Sequence, residues 1–175
     1  MVASREWAQE TLLAAMQSVA APRSCCYVAG PLTSCRAQVL GGGELSGAEI
    51  ESSNRSRMRH VTAHWRSRLS YPVIDSSVLR VPGWAGSDYG RFFLRVLEEL
   101  CFEVRFVSGW EYSMGATKEF LRSQELGIPC FNENGETLTA RAVVGLLEAV
   151  IYELKVNDID DRRYVSRLSS LRDFV

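Results

Sequence analysis

Residues 107–120, VSGWEYSMGATKEF, contain three residues that could act together on a phosphorylated sugar. Ser113 is a good N-cap for a helix, Gly115 lets another group approach the backbone, and Glu119 follows about two turns into that helix. The first turn of a helix has free backbone amides and a partial positive charge, so it binds anions well. A phosphate at this helix start and the carboxylate would be separated by about the length of a ribose.

This spacing predicts chemistry at the anomeric carbon of a nucleoside 5'-monophosphate. Cleavage of an N-glycosidic bond develops oxocarbenium character, which a nearby carboxylate stabilises or captures covalently. Ser113, with neighbouring amides, would hold the phosphate, and Glu119 would act on the sugar. A simpler interpretation is also open, because Glu119 could complement the helix dipole and Ser113 could serve only as a cap.

The rest of the chain alternates predicted strands and helices. Apolar runs predict strands at residues 24–29, 71–74, 104–107 and 128–131, and apolar periodicity predicts helices at 51–69, 88–100, 113–126 and 139–155. The core, residues 24–155, is flanked by an N-terminal helix within residues 1–22 and by a charged helical extension, residues 156–175. We therefore expect one α/β domain, 1–175, with a doubly wound, flavodoxin-like or Rossmann-like parallel sheet of about five strands and helices on both faces.

Composition narrows the possible partners and compartment. The chain has 175 residues, is 46% hydrophobic and carries a formal net charge of −1, so it can bury one core but has no overall field that attracts nucleic acid or a membrane. Its five cysteines form no C-x-x-C pair, which favours a reducing cytoplasm and argues against structural zinc. We expect no metal or organic cofactor.

In doubly wound sheets, ligands bind outside the carboxyl ends of the strands, so the loops after the first three strands are the candidate site. Trp84 and Trp110 could stack on a base, although aromatic residues at such corners commonly close the core. The glycine-rich residues 33–49 fit no phosphate-binding pattern and are expected to form a mobile loop or lid. The predicted substrate-binding residues are Gly30, Pro31, Asp75, Trp84, Gly109, Trp110, Ser113, Met114 and Gly115.

YVAGPLTS after the first strand and GWEYSMGATKEF after the third together resemble the nucleoside 2-deoxyribosyltransferase superfamily, which includes 2'-deoxynucleoside 5'-monophosphate N-hydrolases. The resemblance covers residues 24–131 and implies that Glu119 is the nucleophile or the oxocarbenium stabiliser. It further implies that Tyr27 orients Glu119, and that Gly30 and Pro31 lie beside the sugar. The position six residues before the glutamate is Ser113 here, which resembles the serine that the nucleotide hydrolases have at that position. In the transferases that use free nucleosides, the corresponding residue is an aspartate.

The sequence differs from this family at two positions where members usually have an acidic residue. Members usually carry an aspartate on the helix before the third strand and an acid at the start of that strand, whereas this chain reads YGRFFLRVLEELCFEV. Asp88 and Asp75 are the nearest substitutes, and Asp88 joins Glu119 and Tyr27 as a catalytic candidate. Two functions follow: cleavage or transfer at the N-glycosidic bond of a nucleotide, or a non-catalytic nucleotide-binding or sensing module.

Other features have weaker functional interpretations. His60 and His64 have a spacing that can hold zinc, but no third ligand is evident. Five arginines could grip phosphate or RNA, although their distribution around the predicted helix favours surface charge: Arg55, Arg57, Arg59, Arg66 and Arg68. The resemblance implies a homodimer or a higher homo-oligomer, and the apolar helix FFLRVLEEL and the terminal segments are candidate contacts.

Overall fold

A parallel sheet of four strands forms the centre of the protein. The computed structural model describes residues 5–34, 36–40 and 46–175. The strands have the order β2-β1-β3-β4, and every neighbouring pair is parallel. They are β1 (Cys25–Ala29), β2 (Val73–Asp75), β3 (Cys101–Phe106) and β4 (Cys130–Asn132). The predicted doubly wound α/β fold is confirmed, but the described residues hold four strands rather than about five, because the chain after β4 is helical.

Seven α-helices are found in the described residues. They are α1 (Arg5–Gln17), α2 (Arg36–Val39), α3 (Gly47–Arg66), α4 (Gly86–Leu100), α5 (Met114–Glu125), α6 (Ala140–Val156) and α7 (Arg162–Arg172). The crossover helix α3 packs on one face of the sheet, and α4 and α5 pack on the other. This arrangement follows from right-handed crossovers, because the chain moves outward from β1 to β2 and then back across β1 to β3.

The side chains of β1 alternate between the two faces, as a strand requires. Cys25, Tyr27 and Ala29 belong to the larger core cluster, which contains the inner faces of α4 and α5. Cys26 and Val28 pack with Met58, Val61 and Trp65 of α3 in the smaller one. This alternation directs Tyr27 towards the α5 side of the sheet.

The chain enters α5 through a tight corner after β3. Gly109 has a φ of 87°, in the left-handed region that favours glycine, and a single 3-10 turn, Trp110–Tyr112, follows it. Trp110 is buried against Phe106 and Phe120, with ring centroids 4.5 and 5.3 Å away. The corner therefore anchors the start of α5 in the core.

The segment before α3 differs from the prediction. The helix begins at Gly47 instead of residue 51, because Ser46 and Glu49 form a capping box: Ser46 Oγ accepts from the Glu49 amide, and the Glu49 carboxylate accepts from the Ser46 amide. The short helix α2 also occupies part of the expected loop. Residues 41–45, the centre of the predicted lid, lie outside the described residues.

The apolar side of α4 forms part of the large core. The apolar side of α4, which contains the sequence FFLRVLEEL, buries Phe92, Phe93, Val96, Leu97 and Leu100 inside the protein. The protein's own core covers these side chains, so they are not free for the expected contact between subunits, and the homo-oligomer itself stays a prediction. Among the helices that the structure describes, none combines the length and apolar character of a membrane span.

Candidate active site

A cavity of about 690 Å³ lies at the carboxyl edge of the sheet. Its walls come from the residues after β1 and β2, the first turns of α3 and α4, and the start of α5. Five of the predicted site residues line it: Tyr27, Gly30, Ser113, Gly115 and Glu119. The topology thus brings together residues that are up to 92 positions apart in the chain.

The centre of this site is a hydrogen bond between Tyr27 and Glu119. The Tyr27 hydroxyl donates to Glu119 Oε1 at 2.8 Å. Tyr27 is fully buried, with its ring 6.0 Å from that of Phe93, so the hydroxyl has a defined position. Glu119 is half-buried: it lines the cavity, and protein surrounds the rest of the side chain.

This enclosure changes the ionisation of both groups. Burial raises the pKa of Glu119 to about 7, and the hydrogen bond from Tyr27, which favours the carboxylate, offsets only part of that rise. Burial, and then the charge of Glu119, raise the pKa of Tyr27 well above its usual value. The tyrosine therefore remains a hydrogen-bond donor while the glutamate can exchange a proton near neutral pH.

The first turn of α5 offers an anion site in the same cavity. Ser113 is the N-cap, and its Oγ accepts from the Ala116 amide at 3.3 Å, which leaves the hydroxyl proton free to be donated. Among the described residues, a Cβ built on Gly115 would have only Ser113 Oγ, at 3.7 Å, as a near neighbour, so a ligand can reach the backbone here. From Gly115 to Glu119 the helix rises about 6 Å, which matches the reach of a sugar.

The structure does not bring Asp88 into the cavity wall. Its carboxylate closes the N-terminus of α4, where it accepts from the Ala85 amide at 2.8 Å and pairs with Arg91 at 2.8 Å and Arg5 at 3.2 Å. The Ala85 amide, and then Arg91, lower the pKa of Asp88. Its expected catalytic role finds no support in this geometry, because both carboxylate oxygens are engaged within the fold: Oδ1 pairs with Arg91 of the same helix, and Oδ2 accepts from Ala85 and pairs with Arg5 of α1.

The remaining predicted residues also lie outside the cavity lining. Asp75 is buried and accepts from the Ser77 amide at 2.8 Å, so it orders the turn after β2. Trp84 packs against Tyr89 and Phe92, with ring centroids 5.1 and 5.4 Å away. Four further candidates shape the surrounding loops without lining the cavity: Pro31, Gly109, Trp110 and Met114.

Several lining residues were not predicted as site residues. Ser76, just after β2, donates to the Val28 carbonyl at 3.0 Å, and Tyr89 and Phe93 of α4 complete one wall. Arg55, Arg80 and Glu51 form a charged group on the wall supplied by α3 and the loop after β2. The position of Ser76 follows from the general rule for strand ends. The Glu51–Arg55 pair follows from its i,i+4 spacing on one helix, whereas no local pattern brings Arg80 to it.

The histidine pair of α3 shows no sign of metal binding in the described residues. His64 Nε2 contacts Arg68 Nη1 at 2.7 Å, and its ring packs edge-on against Trp65.

Comparison with protein-family models, curated proteins and solved structures finds no match to this chain. We therefore infer a function from the residues that line the cavity.

Proposed function

We propose that the protein cleaves the N-glycosidic bond of a nucleoside 5'-monophosphate and releases the base, or transfers the sugar to a second base. The observation that supports this proposal most strongly is the Glu119 carboxyl, held by Tyr27 and facing a cavity that also contains the first turn of its own helix. A nucleotide with its phosphate at Ser113 and Gly115 would present its sugar to Glu119.

The reaction needs only groups that this cavity supplies, together with water or a second base. Ionised Glu119 attacks the anomeric carbon, the new C–O bond forms, and the electron pair of the breaking C–N bond leaves with the base. Water then attacks the same carbon, the C–O bond to Glu119 breaks and restores the carboxylate, and the proton that water loses is taken up by the departed base. In transfer, the nitrogen of a second base replaces water and its proton goes to the first base.

Tyr27 contributes as a positioning residue. Its hydroxyl stabilises the charged form of Glu119 and restricts the carboxyl to one orientation. Because the pKa of Glu119 is about 7, a substantial fraction of the protein carries the reactive carboxylate at neutral pH. The same burial leaves this carboxylate poorly solvated, which favours its use as a nucleophile.

The proposal is tested by incubating the protein with a panel of nucleoside 5'-monophosphates and measuring free base by chromatography. We expect base release by the natural protein and a loss of about a thousandfold or more in Glu119→Gln, with nucleotide binding retained. Asp88→Asn, which changes an acid outside the cavity wall, is the matched control. Undiminished release by Glu119→Gln would remove this residue from the mechanism.

A second candidate function is nucleotide binding without cleavage. Among the described residues, the only other acid that lines the cavity is Glu51, which is paired with Arg55 at 2.7 Å and Arg80 at 3.1 Å. A neutral base therefore has no second carboxylic acid to protonate it as it leaves. Saturable binding of nucleotides with no free base, even after long incubation, would favour this function.

A further inference from the structure

A group of three charged residues lines the cavity on its α3 side. Glu51 and Arg55 lie one turn apart on α3, and Arg80 lies in the loop after β2. Arg55 Nε and Arg80 Nη2 both donate to the same oxygen, Glu51 Oε1, at 2.7 and 3.1 Å. The ion pair with Arg55, and then the charge of Arg80, lower the pKa of Glu51, so the carboxylate stays charged at neutral pH.

These three residues have one more positive charge than negative. An arginine side chain stays protonated in proteins, so two guanidinium groups and one carboxylate leave a net charge of +1 on this wall. In the described part of the chain, Nη1 and Nη2 of Arg55 have no hydrogen-bond acceptor, although the side chain is only 12% exposed. Its free donors are thus available to a ligand in the cavity.

Two other arginines of α3 lie at the surface and differ from Arg55. Arg57 pairs with Glu133, and 51% of its side chain is exposed. Arg59, one turn beyond Arg55, is exposed and has no ion pair among the described residues. Arg55 is instead mostly buried and lines the cavity. A cation in this setting interacts more strongly with a ligand than one that is surrounded by water.

The charged group faces the leaving-group side of the proposed substrate. Helices α3 and α5 pack on opposite faces of the sheet, so the cavity extends across the sheet edge from Glu119 and the α5 anion site to Arg55 and Arg80. If the phosphate and the sugar occupy the α5 wall, the base projects towards the arginines.

We propose that Arg55 and Arg80, bridged by Glu51, bind an anionic group carried on the leaving-group side of the nucleotide. The proposal rests on the proposed function and adds the class of substrate: a nucleotide whose base bears a carboxylate. The two free terminal nitrogens of Arg55 match the paired oxygens of that group. The same positive charge would stabilise electron density that develops on the base as the C–N bond breaks, which suits a cavity without a second free acid.

The test measures binding with one matched pair of ligands. Nicotinate mononucleotide and nicotinamide mononucleotide differ only in a carboxylate and a carboxamide, and calorimetry with Glu119→Gln gives their affinities without turnover. We expect the carboxylate ligand to bind about tenfold more tightly, which is the gain typical of one charged hydrogen-bonded contact.

Three variants locate the effect. Arg55→Ala and Arg80→Ala should remove the preference for the anionic ligand, so that the paired affinities become equal, and Arg59→Ala should leave the preference unchanged. Arg80 has a side chain that is 71% exposed, so Arg80→Ala tests the proposal even if Arg55→Ala fails to fold.

Two results would overturn the proposal while the proposed function stands. One is equal affinity for nicotinate mononucleotide and nicotinamide mononucleotide. The other is an equal loss of affinity for every ligand in the arginine variants, because the arginines would then hold the common 5'-phosphate. Failure of every mononucleotide, including the common nucleoside 5'-monophosphates, to bind would reject the proposed function and this inference together.

Discussion

Asp88 is buried in the first turn of α4 and Glu119 is half-buried in the middle of the neighbouring helix α5, and their surroundings shift their pKa values in opposite directions. Asp88 accepts from a backbone amide and pairs with Arg5 and Arg91, and its pKa is lowered. Glu119 receives one hydrogen bond, from the neutral hydroxyl of Tyr27, and burial raises its pKa to about 7. The first acid lies outside the cavity wall and the second lines it.

The difference separates an acid that stabilises the fold from one that is available for chemistry. A carboxylate whose oxygens meet an amide and two cations has gained its stabilisation in the folded state, and those contacts compete with any substrate. A carboxyl held in a cavity by one neutral donor keeps an oxygen and a proton that can be exchanged. The cavity thus identifies Glu119, rather than Asp88, as the acid to test.

The largest expected effect is on the pH dependence of base release. The carboxylate form of Glu119 is the nucleophile, so the rate should rise with pH through about 7 and then level off. At about pH 5 the rate should be about a hundredfold below its plateau. Asp88→Asn should give the same profile as the natural protein. A rate that is flat or falls over this range would contradict nucleophilic attack by Glu119.

The second prediction concerns the free energy of unfolding. The folded state holds the Glu119 proton up to about pH 7, whereas the unfolded chain releases it near 4.5, so stability should fall as pH rises between these values. The expected loss is about 3 kcal/mol. Denaturant titrations at several pH values should show this slope, and Glu119→Gln should lack it. An identical slope in both proteins would show that Glu119 is not the titrating group.

The third prediction concerns Tyr27. Tyr27→Phe keeps the ring packing but removes the donor to the carboxylate, so base release should fall about tenfold. Because that hydrogen bond lowers the pKa of Glu119, its loss should move the midpoint of the rate profile to higher pH. A shift to lower pH would contradict the assigned contact.

The smallest effect on activity is expected for Asp88. Asp88→Asn should leave base release unchanged and lower the melting temperature, because the variant loses charged contacts with Arg5 and Arg91. The lowered pKa of Asp88 means that its contribution to stability is present above the unfolded value of 3.8 and disappears as the pH falls. Loss of activity in a fully folded Asp88→Asn variant would remove the distinction between the two acids.

Much of the fold could be predicted from local patterns. Apolar runs marked all four strands, and apolar periodicity marked the bodies of α3, α4, α5 and α6. The errors occur where capping decides the boundary, as at Ser46 and Glu49, or where the helix is as short as α2. Such features depend on single side-chain contacts rather than on periodicity.

The candidate site could be predicted only in part. Glu119, Ser113 and Gly115 share one helix, so their mutual positions follow from helix geometry. The contact from Tyr27 was expected from the family resemblance, and the alternation of β1 places its side chain on the required face. The contact between Arg55 and Glu51 follows from their i,i+4 spacing on α3, but Arg80 reaches the same carboxylate from the loop after β2, and no pattern within that loop records the contact.

The central claim is that Glu119 breaks an N-glycosidic bond in this cavity, and free base is its most direct measure. The natural protein and Glu119→Gln would each be incubated with the panel of nucleoside 5'-monophosphates, after binding to both has been verified. The account predicts free base from at least one nucleotide with the natural protein and none above background with the variant. Equal release by the two proteins, or binding without release by both, would contradict it.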